Sequence, residues 1–352
     1  MKGSRMDVRE RVLTALNWGE PDRVALTVYD WILPRGIAER ELRDMGVGLV
    51  MRLPAHRVEY PHVQFVSTEY WEQGRRLIRK SIHTPVGEVW QIVDPEGAYD
   101  SVWILEHFIK GPEDYRVMEF MVRDAIYRDN YEVIRETQRR LGGDGIVYVR
   151  AGKAPIQEML YQMLGMEQFA VDYKFHRDQF DSLHNAMVGR YEELYDLVAG
   201  SSVEVVTLAD NITADVVGQE RYRSYLMPVY SRLRERLSGT GKLLGIHMDG
   251  RLASLKKEIG ESEIDFVEAL TPPYMGDVSV REAREAWPDK GLWLNFTSSV
   301  HIESPEVIEA HTRQLLEEAG GKRGFVIGVT EDAPVEALEK SLAVIARVLN
   351  EG

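Results

Sequence analysis

Eight short, near-continuous apolar runs recur along the chain, most of them followed by an amphipathic stretch. They are Val24–Tyr29, Gly48–Leu53, Ile146–Arg150, Val203–Ala209, Leu243–His247, Ile264–Leu270, Leu292–Phe296 and Phe325–Val329. A run that is apolar on both faces suits a strand covered on both sides, as in a parallel sheet. Parallel strands need crossover connections, which helices supply. Eight such units in 352 residues predict an α/β chain folded as one (β/α)8 barrel over residues 1–352.

The intervening helices carry their own punctuation. Tyr127, Tyr131, Ile134, Gln138 and Leu141 fall at helical spacing, and Gly142-Gly143 supplies a stop. Ser304-Pro305-Glu306 reads as a cap, a first-turn proline and a first-turn acid. Ile308, His311, Leu315 and Ala319 follow as a core face, with Gly320-Gly321 as the stop. A last helix starts near Pro334 and repeats Val335, Leu338, Leu342, Ile345 and Leu349. Residues 55–125 break the rhythm and read as an insertion after the second strand. Within it, His62–Ser67, Arg76–His83 and Glu88–Val93 have the alternation of a β-ribbon, turning at Thr84-Pro85-Val86-Gly87. The insertion is rich in aromatics, among them Tyr60, Tyr70, Trp71, Trp90, Tyr99 and Trp103.

Charge and composition remove several function classes. Lys and Arg total 43 against 57 Asp and Glu, a net charge of −14, so no basic surface is expected for nucleic acid. With no cysteine, disulfides, thiolate zinc sites, iron–sulfur clusters and Cys nucleophiles are all excluded. No apolar run approaches the roughly 18 residues of a membrane span, and Met1 to Trp18 lacks the pattern of a signal peptide. The expectation is a cytoplasmic protein that binds neither membrane nor nucleic acid.

In a barrel of this kind, chemistry gathers at the C-terminal ends of the strands. The polar residues there are Asp30, Asp210, Asn211, His247, Asp249, Glu268, Asn295, Thr330 and Glu331. His247 and Asp249 leave one strand end, and Glu268 follows near the end of the next. Three N/O donors on neighbouring strands suffice for a zinc ion with an open fourth position. The alternative is a hydrogen-bonded pair that shapes a substrate pocket. Asp210 and Asn211 read either as a general base with an amide donor or as an Asx turn closing a strand. Tyr29 and Trp31 either stack on a flat substrate or pack into the core. Pro272-Pro273-Tyr274 reads as a rigid turn at the mouth. Nucleotide-binding and P-loop glycine patterns, HExxH and GxSxG are all absent.

At Arg11 to Val24 (RVLTALNWGEPDRV) the chain resembles the uroporphyrinogen decarboxylase-like superfamily. The Thr84–Gly87 turn, His247-Met248-Asp249-Gly250 and the stretch from Asp265–Glu268 to Gly276-Asp277 extend that resemblance over nearly the whole chain. It implies the barrel more firmly than any one activity. The decarboxylases themselves carry an Arg-Gln-Ala-Gly-Arg signature after the first strand and a histidine near the last. Here those stretches read Tyr29-Asp30-Trp31-Ile32-Leu33-Pro34-Arg35-Gly36 and Val329-Thr330-Glu331-Asp332, which argues against tetrapyrrole decarboxylation. A second branch, the methylcorrinoid:thiol methyltransferases, holds zinc through a His-x-Cys pair and a distant Cys. His247 matches its histidine, Asp249 replaces its first cysteine, and the distant cysteine is missing. A glutamate one strand on, where Glu268 stands, resembles that of cobalamin-independent methionine synthase.

The third branch is the corrinoid-dependent methyltransferases of O-demethylase systems, and this chain most resembles it. The resemblance implies methyl transfer from a small methoxylated, aromatic donor to the cob(I)alamin of a corrinoid-binding partner protein. His247, Asp249 and Glu268 would hold zinc as a hard Lewis acid on the ether oxygen or, without metal, anchor that oxygen. Asp210, Asn211 and Glu331 would be catalytic, orienting substrate or supplying a proton. Tyr29, Trp31, Asn295 and Thr330 would bind substrate, with the insertion's aromatics adding ring contacts. The runner-up is a cofactor-independent lyase acting on a carboxylate, for which Arg35 is the one nearby cation. A third reading is a barrel that only binds corrinoid or tetrapyrrole.

Overall fold

Eight parallel strands close on themselves in sequence order: β1 (Ala25–Tyr29), β2 (Val47–Pro54), β3 (Gly145–Arg150), β4 (Val205–Leu208), β5 (Leu243–His247), β6 (Phe266–Leu270), β7 (Gly291–Asn295) and β8 (Phe325–Val329). In this computed structural model residues 6–98 and 101–351 are described. The (β/α)8 barrel read from the apolar runs is therefore observed, each strand within about two residues of its predicted span. Every residue of β1, β4, β6, β7 and β8 is buried, which explains why these runs lack alternation.

Inward positions recur every second residue. Thr27 receives a hydrogen bond from the Trp293 indole at 3.0 Å, and Trp293 meets Tyr148 edge-on and Phe266 at a tilt. This layer is a packed, largely apolar floor. Two residues further along each strand the inward positions become Tyr29, Arg52, Arg150, His247, Glu268 and Asn295. The change from apolar floor to polar rim happens within one pleat.

The opening RVLTALNWGEPDRV stretch is structural. Asp7 and Glu10 form a reciprocal capping box at the start of helix Val8–Leu16. Arg11 is buried in that helix and grips Asp22 with two hydrogen bonds, at 2.6 and 2.9 Å, fixing the turn into β1. Helix Pro305–Ala319 ends at Gly320, whose φ of 65° is the left-handed stop anticipated from Gly320-Gly321. The last helix, Val335–Glu351, buries Leu338, Leu342, Ile345 and Leu349. Val335 departs from the expected core face: it is 58% exposed, because the first turn of that helix projects to solvent.

By contact the chain divides into two compact units. The barrel takes the described chain up to Ala55, Asn130–Gly152 and the chain from Val198; the second unit takes His56–Asp129 and Lys153–Leu197. The segment expected as an insertion thus opens the second unit, to which a later segment also belongs. Its ribbon is an antiparallel sheet of Gln64–Glu72, Arg75–Thr84, Gly87–Ala98 and Ser101–Glu106, the last strand having gone unread in the sequence. Leu77, Ile82, Val89 and Val93 are buried in this sheet, and Val117, Met118 and Val122 in helix Asp114–Asp124. Tyr115 donates to Asp172 at 2.8 Å, bonding the unit's two segments. Tyr127 lies in strand Ile126–Asp129, paired with His56–Glu59, and the helix expected from Tyr127 begins at Tyr131 instead. Tyr99 lies outside the described residues. Among the described residues no helix is long and apolar enough to cross a membrane.

Candidate active site

His247 ends β5 and Glu268 sits opposite it in register on β6. Parallel pairing places both side chains on the same inward face, so 21 residues of separation collapse to a direct contact. His247 Nδ1 lies 2.5 Å from Glu268 Oε2, and His247 Nε2 lies 3.4 Å from Asp249 Oδ2. The imidazole is therefore held between two carboxylates. Burial opposes its charged form, but Glu268 and Asp249 outweigh that and raise its pKa to about 10. The ring is an imidazolium at neutral pH.

Glu268 is fully buried, and its second oxygen accepts from the Tyr29 hydroxyl at 2.6 Å. Tyr148 in turn donates to the Tyr29 oxygen at 3.2 Å. Burial, then the Glu268 charge, pushes the Tyr29 phenol well above its ordinary pKa, so it stays a neutral donor. A bonded row Tyr148–Tyr29–Glu268–His247–Asp249 thus crosses the mouth. Glu268 is aimed by a local irregularity: Ala269, at φ 60°, is the extra residue of a bulge between β6 and β7. Bulges of this kind re-aim side chains beside active sites. Gly250 follows Asp249 because a Cβ there would come within 2.6 Å of the Ile212 carbonyl oxygen and 2.4 Å of Thr213. Asp277, from the Gly276-Asp277 pair, accepts from the Leu252 and Ala253 amides at 2.6 and 3.0 Å and anchors the loop beyond.

The expected trio His247, Asp249 and Glu268 is brought together, though in a row. Both ring nitrogens of His247 face carboxylates, and both Glu268 oxygens have partners. Among the described residues no three His, Asp or Glu side chains are placed to hold a metal ion. As arranged, these donors do not fit a zinc ion with an open position.

Other expected residues take different places. Asp210 is fully buried and accepts from the Tyr230 hydroxyl at 2.8 Å, an arrangement that ties the end of β4 to helix Met227–Leu237. Neighbouring Asn211 is exposed at φ 50°, the geometry of a strand-closing turn. Asn295 is buried and braces three strand ends: its Nδ2 donates to Thr271 at 3.3 Å and its Oδ1 accepts from the Thr330 amide at 3.0 Å. With both ends of its amide used, it shapes the rim rather than reaching outward. Glu331 accepts a hydrogen bond from Ser298. Trp31 is 38% exposed and lies 4.8 Å from the Tyr29 ring, so both aromatics are at the mouth. Arg35 turns to the Asp30 carbonyl at 2.7 Å and to Glu39.

Two rim residues went unread in the sequence. Arg52 on β2 stacks over Tyr29 and Trp31, 3.9 and 3.7 Å from the ring centroids. Arg150 ends β3, in register with Pro54, two residues beyond Arg52. The available signal was a charge interrupting the apolar run Val50-Met51-Arg52-Leu53, two residues on from a Val whose partner is Tyr29.

Fold and rim define an α/β-barrel enzyme whose mouth carries a carboxylate-held imidazolium. The uroporphyrinogen decarboxylase (URO-D) family matches residues 104–351, and the chain belongs to that family. Among solved structures it is similar to a methyltransferase from Methanosarcina mazei, at 13% identity over 98% of this chain and 99% of that one, with a TM-score of 0.58. It is also similar to B12-independent methionine synthases. That from Shewanella sp. W3-18-1 is 9% identical over 94% of this chain and 97% of the other, at TM-score 0.44. A putative one from Listeria monocytogenes is 13% identical over 63% and 68%, also at 0.44. At these identities the likeness is one of fold. No curated protein sequence matches the chain.

Proposed function

We propose that this barrel is a corrinoid-dependent methyltransferase, taking a methyl group from a small methoxylated aromatic donor. The acceptor would be cob(I)alamin on a partner protein, supplying the nucleophile that attacks the methyl carbon. The observation that carries the reading is the His247 imidazolium between Glu268 and Asp249 at the rim of a cysteine-free barrel. Without thiolates, the site suits activation of an ether oxygen better than of a thiol. Membership of the URO-D family and the fold shared with a methyltransferase support the same class.

In this reading the substrate ether oxygen takes the Nε2–H, whose contact with Asp249 is long at 3.4 Å. The Nδ1–H stays with Glu268 and fixes the ring. As the carbon–oxygen bond breaks, Nε2 passes its proton to the departing oxygen, leaving an alcohol or phenol and a neutral imidazole. Asp249, 27% exposed, is placed to return a proton from solvent. Trp31, part-exposed at the mouth, offers ring contact to the substrate over the buried Tyr29, and Glu331 lies at the end of the neighbouring strand.

The test is an anaerobic assay with free cob(I)alamin and a panel of methoxylated aromatics, following the cobalt spectrum for methylation. Methylation that His247→Gln lowers by about 100-fold or more supports the reading; no methylation from any donor ends it. Arg52 and Arg150 favour a second reading, a cofactor-independent lyase acting on a carboxylate. That reading requires carbon dioxide release with no cobalt present.

A further inference from the structure

The two edges of the antiparallel sheet in the second unit are built differently. Ser101–Glu106 is six residues long, and its register with Gly87–Ala98 shifts twice. Shortness, bulges, lysine and proline are the ordinary guards against edge-to-edge association. The other edge, Gln64–Glu72, has none of them. It runs nine residues, pairs with Arg75–Thr84 in unbroken register, and contains neither Lys nor Pro. Among the described residues no strand lies beyond it. Phe65 and Trp71 share one face of this strand and are 53% and 70% exposed.

The residue order along this edge suits a second copy of itself. Reversed about Thr68, the strand sets Phe65 opposite Trp71 on one face and Val66 opposite Tyr70 on the other, pairings that stabilise sheets. Its two acids fall opposite neutral residues, Glu69 against Ser67 and Glu72 against Gln64. Glu69 also has Arg76 of its own chain at 3.3 Å. Centring the pairing on Glu69 would set that acid against itself, and centring it on Ser67 would set Phe65 against Glu69. We propose that two copies of this chain associate through Gln64–Glu72, antiparallel and with Thr68 on the two-fold axis. Four strands from each copy then make one continuous sheet, closed by symmetry, with only the guarded edges outermost.

The experiment is sedimentation velocity on the whole protein from about 1 to about 200 μM. Nine residues a side is well under the roughly 20–30 of a standard interface, so a concentration-dependent monomer–dimer equilibrium is expected. Thr68→Glu places two like charges on the axis, while within one chain the new acid faces Arg79 across the strand pair. It should weaken association at least about tenfold, and Trp71→Ser about fivefold. The chain has no cysteine, which makes the register testable. Thr68→Cys should form an intermolecular disulfide on mild oxidation. Gln64→Cys would lie opposite Glu72, about 27 Å from its own counterpart at ~3.4 Å per residue, and should not. Circular dichroism checks that each variant is folded. A chain monomeric throughout the range leaves the edge to another protein's strand and overturns self-association. A dimer that folded Thr68→Glu leaves intact, one that Thr68→Cys fails to cross-link, or equal cross-linking of Gln64→Cys and Thr68→Cys also overturns the proposal.

Discussion

The Tyr29 hydroxyl donates to Glu268 Oε1 at 2.6 Å across the barrel mouth, from a strand that is not Glu268's neighbour. That bond fixes the carboxylate that holds His247. Tyr29→Phe leaves a buried Glu268 oxygen without its donor and should cost about 1–3 kcal/mol of stability. Chemical denaturation measures this, and an unchanged midpoint would mean that Glu268 finds another donor.

The charge on His247 is open to direct observation. Its pKa is raised to about 10 by Glu268 and Asp249 against the opposing effect of burial. A raised pKa contributes stability fully below the unfolded value of about 6.5, and that stability is lost as pH climbs toward 10. NMR of the ring nitrogens should show both protonated at pH 8. Glu268→Gln should move the titration toward neutrality and flatten the alkaline loss of stability.

Metal content separates the imidazolium from a zinc centre. Purified protein should carry well under one zinc per chain by elemental analysis, because His247 already faces carboxylates on both sides. Stoichiometric zinc that disappears in His247→Ala would replace the proton-donor role with a Lewis acid.

Asp210 tests structure against chemistry. Held by Tyr230 in full burial, it should tolerate Asn with methyl transfer within a few-fold of wild type, while Ala should cost about 1–3 kcal/mol. A loss of about 100-fold in the Asn variant at unchanged stability would restore it to the reaction.

His301 sets the acid limit. It is buried, bonded to Ser341 at 2.7 Å, and burial with the nearby His311 charge lowers its pKa to about 4. The unfolded chain takes up this proton near pH 6.5 and the folded one does not, so stability falls from pH 6.5 toward 4. Denaturation midpoints across that range should drop for wild type and less for His301→Asn.

The barrel was legible because burial on both faces leaves a continuous apolar run, and His247 with Glu268 because neighbouring strand ends in a parallel barrel adjoin. Local patterns misled where three-dimensional partners decide. Tyr127 fits helical spacing but pairs as a strand with His56–Glu59. Asp210 reads as a base or a strand-closing turn by residue type, and nothing local shows that Tyr230 from a later helix donates to it. Arg52 and Arg150 went unread, since a charge interrupting Val50-Met51-Arg52-Leu53 does not say which strand's rings it will cover.

The row from Tyr148 through Tyr29 and Glu268 to His247 is rooted in β1, β3, β5 and β6, and crossover loops contribute only its outer member, Asp249. Loop transplants from other barrels should therefore redraw which molecules are admitted while the proton inventory is inherited intact. A scaffold wired this way can change diet without relearning its chemistry.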